Sequence, residues 1–123
     1  MSVVEQYARA HIVTDVSVPL IDELEAIPVT LRYDPERDPR AVRIGLPGAG
    51  AGTHEWTFGR ELLEEGLRAP TGSGDVRVWP CGRVQAVVEF HSPEGVLVVQ
   101  FERQALLRFL RRTYMAAAEP VTH

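Results

Sequence analysis

Apolar and polar side chains alternate along most of this chain, and a helical period replaces the alternation at only two places. Residues two apart share one face of a strand, so an alternating segment is built to bury one face of a sheet. In residues 11–18, Ile12, Val16 and Val18 fall on one side and Asp15 and Ser17 on the other. In residues 27–33, Val29, Leu31 and Tyr33 alternate with Thr30 and Arg32. Val42, Ile44 and Leu46 then alternate with Ala41, Arg43 and Gly45, and residues 55–58 form a short fourth strand. Residues 34–39 break the pattern with two prolines, which cannot donate to a ladder. The glycine-rich stretch 47–52 reads as a turn.

The period changes first at residues 59–67. There Leu62, Leu63 and Leu67 share one face of a two-turn helix and Glu61, Glu64 and Glu65 lie elsewhere around it, with Gly66 and Pro70 ending it. A loop over residues 69–74 leads to a fifth strand at 76–79. Val84, Ala86, Val88 and Phe90 face one way in a sixth, and Ser92-Pro93-Glu94-Gly95 fits a type I turn into a seventh at 96–101. A helix over residues 102–118 closes the chain, with Ala105, Leu106, Phe109, Leu110 and Thr113 as its apolar stripe. Strands joined by short turns pair antiparallel, so the expected class is α+β: strongly curved antiparallel sheet of about seven strands, one short helix and one long C-terminal helix. Residues 10–119 read as a single domain behind a flexible N-terminal arm at 1–9. At 123 residues such a domain has a core that needs no disulfide or metal.

The residue inventory narrows the chemistry. There is no Lys, so there is no amine for Schiff-base or P-loop phosphate chemistry. The formal charge of −4 gives no global attraction to nucleic acid. Cys81 is the only cysteine and sits between Pro80 and Gly82, with no helix start beside it to activate a thiolate. The four histidines are scattered without metal-ligand spacing, and His11 and His91 fall opposite the apolar sets of their strands, which reads as solvated. Residues 48–52 lack the Lys-Ser/Thr ending of a phosphate cradle and are followed by a strand. Ser73 in Gly72-Ser73-Gly74 lies before a strand, whereas a nucleophile elbow lies after one. No catalytic, cofactor or metal residue is assigned. The start of the chain has no secretory pattern and no apolar run reaches the ~20 residues of a spanning helix, so a cytoplasmic protein without membrane insertion is expected.

Two surfaces remain. Arg77 and Trp79 share a face of one strand, with Arg43 and Arg83 as neighbours; aromatic and Arg side chains on a sheet can stack bases, so single-stranded nucleic-acid binding is the alternative reading. The closing helix carries more. Its apolar residues extend beyond the core stripe to Leu107 and Tyr114, more than a surface helix needs. Arg108, Arg111 and Arg112 form a basic ridge opposite in sign to Glu61, Glu64 and Glu65 of the first helix. Such bipolar charge suits self-association or docking to another protein.

Three stretches resemble the SsgA-like proteins of sporulating actinobacteria: Leu31-Arg32-Tyr33-Asp34-Pro35 with Pro39-Arg40-Ala41-Val42; Glu55-Trp56-Thr57-Phe58-Gly59-Arg60-Glu61-Leu62-Leu63-Glu64-Glu65-Gly66-Leu67; and Pro70-Thr71-Gly72-Ser73-Gly74-Asp75-Val76-Arg77-Val78-Trp79-Pro80. The resemblance, strongest to the SsgB type, implies a non-catalytic regulator of sporulation septation. It implies binding to the tubulin-like division protein FtsZ and to other SsgA-like proteins, and location at the septum. It further implies a homotrimer whose protomer resembles the Whirly group of single-stranded nucleic-acid-binding proteins. It supplies no binding residues, so Glu61, Glu64, Glu65, Leu107, Arg108, Arg111, Arg112 and Tyr114 stand as interaction candidates on the helical surface pattern alone.

Overall fold

A computed structural model describes residues 3–13, 26–47, 53–93 and 95–118. Four strands, a helix, four strands and a second helix follow in order: β1 (Val4–Val13), β2 (Ala26–Tyr33), β3 (Ala41–Pro47), β4 (Thr53–Gly59), α1 (Arg60–Gly66), β5 (Thr71–Ser73), β6 (Val76–Cys81), β7 (Gln85–Ser92), β8 (Gly95–Glu102) and α2 (Arg103–Ala118). All pairings are antiparallel, in a single curved sheet of order β4-β3-β2-β1-β8-β7-β6-β5. Each half is a meander followed by a helix, and the halves join where β1 pairs with β8, from Ala10↔Phe101 to Val13↔Val98.

The alternation sets the concave face. Val29, Leu31 and Tyr33 of β2, Val42, Ile44 and Leu46 of β3, and Ala86, Val88 and Phe90 of β7 are all buried. The curvature shows in the aromatic contacts. Trp56 of β4 stacks on Phe90 of β7 at 4.7 Å, and Phe58 meets the same ring edge-on at 6.1 Å, although four strands separate β4 from β7 in the sheet. α2 lies against β1, β8 and β7 and buries the five residues of its expected stripe.

Three expectations need correction. Residues 4–9 are strand and not arm: they pair with β2 from Val4↔Tyr33 to Arg9↔Pro28, with Val4, Ala8 and Ala10 buried. The strand expected at 11–18 therefore starts earlier, and its residues 14–18 lie outside the described residues, as do 48–52 of the glycine-rich turn and Glu94. Eight strands replace seven, because Thr71–Ser73, expected as loop, pairs with β6. Gly74, at φ +59, then makes the turn into β6, a backbone that a side chain would strain. Val84, expected to face inward, is 71% exposed in the turn before β7.

Gly66 does more than end α1. It is buried, and a Cβ built there would sit 2.3 Å from Val78 Cβ and 2.9 Å from the Val78 carbonyl oxygen. The absent side chain lets the helix backbone rest directly on β6. Leu62, Leu63 and Leu67 are buried beside this contact.

Candidate functional site

The two helices meet in one joint built around Arg60, the first residue of α1. Its backbone N–H donates to the Arg40 carbonyl at 2.8 Å, fixing the helix start on the β2–β3 turn. Its guanidinium lies over the Tyr114 ring at 4.1 Å and the Tyr33 ring at 5.3 Å. From there it donates to the Tyr33 hydroxyl at 3.3 Å and to the Thr113 carbonyl of α2 at 3.4 Å. Tyr33 in turn donates its hydroxyl proton to the Pro39 carbonyl at 3.0 Å. The Tyr114 hydroxyl donates to Glu64. That hydrogen bond, reinforced by partial burial and the carboxylate's charge, raises the Tyr114 pKa above its ordinary value. Two interaction candidates 50 residues apart in the sequence, Glu64 and Tyr114, thus hold the protomer's own helices together. Sequence reading assigned Arg60 no role; an Arg at a helix start gives no signal that two rings 27 and 54 residues away will sandwich it.

The remaining candidates divide by location. Arg112 turns onto β1, donating to the Glu5 carbonyl and to Gln6 Oε1, each at 3.3 Å. Gln6 itself donates to the Ala105 carbonyl at 2.9 Å, so this contact seats α2 on the first strand. Leu107 is half-buried against the core. Arg108 and Arg111 are exposed. The most exposed large apolar side chain of the helix is Met115, at 67%, next to Tyr114 at 39%. Glu61 and Glu65 are exposed on α1 and border a cleft between β4 and β5.

The face weighed for nucleic acid is organised differently from its expectation. Trp79 donates its indole N–H to Glu89, and Glu89 also meets His91 Nε2 at 3.1 Å. Glu89 stands opposite Arg77 in the ladder, so a carboxylate occupies the centre of the surface. Arg43 pairs with Glu55 at 3.9 Å and is separated from Arg83 by the three strands β2, β1 and β8, so the two arginines are not neighbours. His11 and His91 are half-buried, not solvated, and His11 Nδ1 is enclosed without a partner among the described residues. Cys81 is half-buried at the end of β6, not in a turn. Among the described residues no three His, Cys, Asp or Glu side chains gather as a metal site, and no helix is long and apolar enough to cross a membrane.

Comparison with known proteins gives these features a setting. The family model "Streptomyces sporulation and cell division protein, SsgA" matches residues 27–120. The sporulation-specific cell division protein SsgB of Frankia casuarinae is 43% identical over 94 residues, which span 73% of this chain and 64% of that protein. SsgB of Streptomyces coelicolor is 42% identical over 100 residues, covering 79% of this chain and 72% of that one. The solved SsgB structure connected with longitudinal cell division during sporulation of Streptomyces coelicolor superposes with a TM-score of 0.77 at 35% identity, over 93% of this chain and 87% of that chain. The SsgA-like sporulation-specific cell division protein of Thermobifida fusca gives 0.73 at 30% identity, over 94% and 83%. The residues matched by the family model, 27–120, span the elements in which Arg60, Glu64, Gly66 and Tyr114 lie. The chain belongs to the SsgA family of sporulation and cell division proteins.

Proposed function

We propose that this protein is a non-catalytic regulator that binds FtsZ and positions it at sporulation septa. In this reading it works in the cytoplasm at the septum, with other SsgA-like proteins, as a homotrimer of Whirly-like protomers. The observation that carries the reading is the family membership, with SsgB relatives above 40% identity named as sporulation-specific cell division proteins. Surface chemistry supports it. Arg108 and Arg111 on α2 and Glu61 and Glu65 on α1 are exposed charges of opposite sign on separate helices, a pattern that steers and registers a protein partner. Leu107 and Met115 offer apolar contacts for a second protomer. Glu64, Arg112 and Tyr114 act behind these surfaces by fixing the helices.

The test is direct binding of purified FtsZ to the immobilised chain, repeated with Arg108→Glu/Arg111→Glu and with Glu61→Arg/Glu65→Arg. Binding that one pair of reversals weakens at least tenfold supports both function and surface. Equal binding by both variants leaves the function standing and removes these sites. If wild type binds no FtsZ at tens of micromolar yet binds single-stranded DNA below ~1 µM, the nucleic-acid reading replaces this one. Met115→Asp, at an exposed apolar position of α2, is expected to lower the molar mass in light scattering while leaving the far-UV circular dichroism unchanged.

A further inference from the structure

Among the described residues the curved sheet does not close. β4 and β5 are its two edges, α1 joins them in sequence, and between them lies a cleft of about 570 Å3. Trp56 and Phe58 of β4 and Val76 at the start of β6 give it an apolar floor. Among the described residues, each charged side chain lining it is a carboxylate, from Glu61 and Glu65 of α1 and Asp75 of the β5–β6 turn. All three are exposed at its rim. β4 pairs with β3 along its whole length from Ala41↔Gly59 to Pro47↔Thr53, and an edge strand leaves alternate N–H and C=O groups unpaired on its other side. Opposite it, β5 contributes just three residues. Trp56 Nε1 is enclosed here without an acceptor among the described residues, and a buried donor in that state is costly.

We infer that this seam is a docking groove for one extended, basic segment of a partner protein, added as a further strand along β4. Three features define the occupant. The open edge is satisfied by extended backbone, the mode of strand addition. The apolar floor accepts side chains from one face of that strand, at every second position. The three rim carboxylates, with no cation among the described lining residues, select Arg or Lys on the other positions. Nucleic acid is disfavoured by the same carboxylates. A second copy of this chain fits poorly, because its exposed strand arginines Arg9, Arg32 and Arg77 stand on β1, β2 and β6, which are already paired on both sides, and Arg108 and Arg111 lie on a helix.

The inference rests on the reading of the chain as a protein-binding factor, and its test uses no division protein, so its failure leaves FtsZ binding to its own assay. The probe is a fluorescein-labelled decapeptide of alternating Arg and Val, titrated into the full chain by anisotropy, with a Glu/Val decapeptide as control. Trp56 emission is followed in a Trp79→Phe background. Saturable binding is expected, with a shift in Trp56 emission and new amide-exchange protection along β4. Glu61→Gln/Glu65→Gln/Asp75→Asn is expected to raise the Kd at least tenfold while keeping the wild-type thermal midpoint within about 2 °C, since all three side chains are exposed. Equal affinity in that variant overturns the inference, as do protection confined to other strands and equal binding of the acidic peptide. Loss of a wild-type oligomer in the triple variant without peptide also overturns it, by assigning the seam to a second copy.

Discussion

Replacing Gly66 with Ala sets two effects of opposite sign against each other, and the structure decides between them. Within a helix, Ala is favoured over Gly by about 1 kcal/mol. Against this, the new Cβ would meet Val78 Cβ at 2.3 Å, Cγ1 at 2.4 Å and the backbone oxygen at 2.9 Å. Val78 is fully buried and held in β6 between β5 and β7, so rotating its side chain does not clear the backbone contact. The helix must instead rise by more than about 1 Å to restore carbon contacts of roughly 3.5–4 Å. A gap of that size forfeits about half the packing of Leu62, Leu63 and Leu67, each contributing about 2 kcal/mol, so the loss is ~3 kcal/mol. The net effect is destabilisation by about 2 kcal/mol, within the usual range for overpacking. For a domain of this size that lowers Tm by about 8 °C, read by thermal unfolding at fixed protomer concentration. Gly59→Ala is the control: at φ −65, ψ 138 its Cβ meets nothing closer than 4.0 Å, so its cost stays below about 1 kcal/mol. A Gly66→Ala protein as stable as wild type, or more so, would refute the close approach of α1 to β6.

The Arg60 joint gives two further expectations. Arg60→Ala should lower the urea midpoint by an amount equivalent to about 1–3 kcal/mol, and Arg60→Lys should recover less than half, because an ammonium cannot stack as a plane between Tyr33 and Tyr114. Glu64 holds the Tyr114 proton, so the folded state binds that proton more tightly than the unfolded one; the resulting stability is fully present below about pH 10 and is lost as pH rises above it. Urea titrations of wild type and Tyr114→Phe should therefore differ by a constant amount from pH 7 to 9 and converge above pH 10, and curves that stay parallel to pH 11 would count against the bond. Phe90→Ala should cost about 3–5 kcal/mol and shift Trp56 emission to longer wavelength, since it removes the ring on which Trp56 stacks.

Legibility in the sequence followed how strongly each element's own side chains record its surroundings. The buried stripe of α2 was readable to the residue, since Ala105, Leu106, Phe109, Leu110 and Thr113 repeat at the helical period and all five are buried, although Glu102 belongs to β8 and not to the helix. β1 was not, because its inward positions carry Gln6, Ala8 and Ala10, small or polar side chains suited to a closely seated helix. Tyr7 stands outward at 70% exposure, inverting the signal a strand normally gives. β5 offers Thr71, Gly72 and Ser73, with no apolar residue to alternate, and is a strand solely through its ladder with β6. The charge contrast between the helices was readable on each helix separately. That Glu64 meets Tyr114 across 50 residues depends on the fold alone.

The two halves of the sheet end in helices of unequal length, and this inequality places the recognition surface. α2 follows β8, and its 16 residues extend about 24 Å, enough to lie across the centre of the concave face where the halves join. α1 follows β4 with seven residues, about 10 Å, pinned to β6 at Gly66 and to α2 through Arg60. A helix so short and so tethered cannot lie along both edge strands, so one side of the sheet is filled and the other is left as a cleft. The acidic residues of α1 that do not serve the joint, Glu61 and Glu65, face that cleft, whereas Glu64 turns to Tyr114. The same two turns of helix therefore lock the protomer on one side and carry charge to an open sheet edge on the other. Strengthening the joint, for example through the Glu64–Tyr114 contact, fixes the angle at which those carboxylates meet a partner strand.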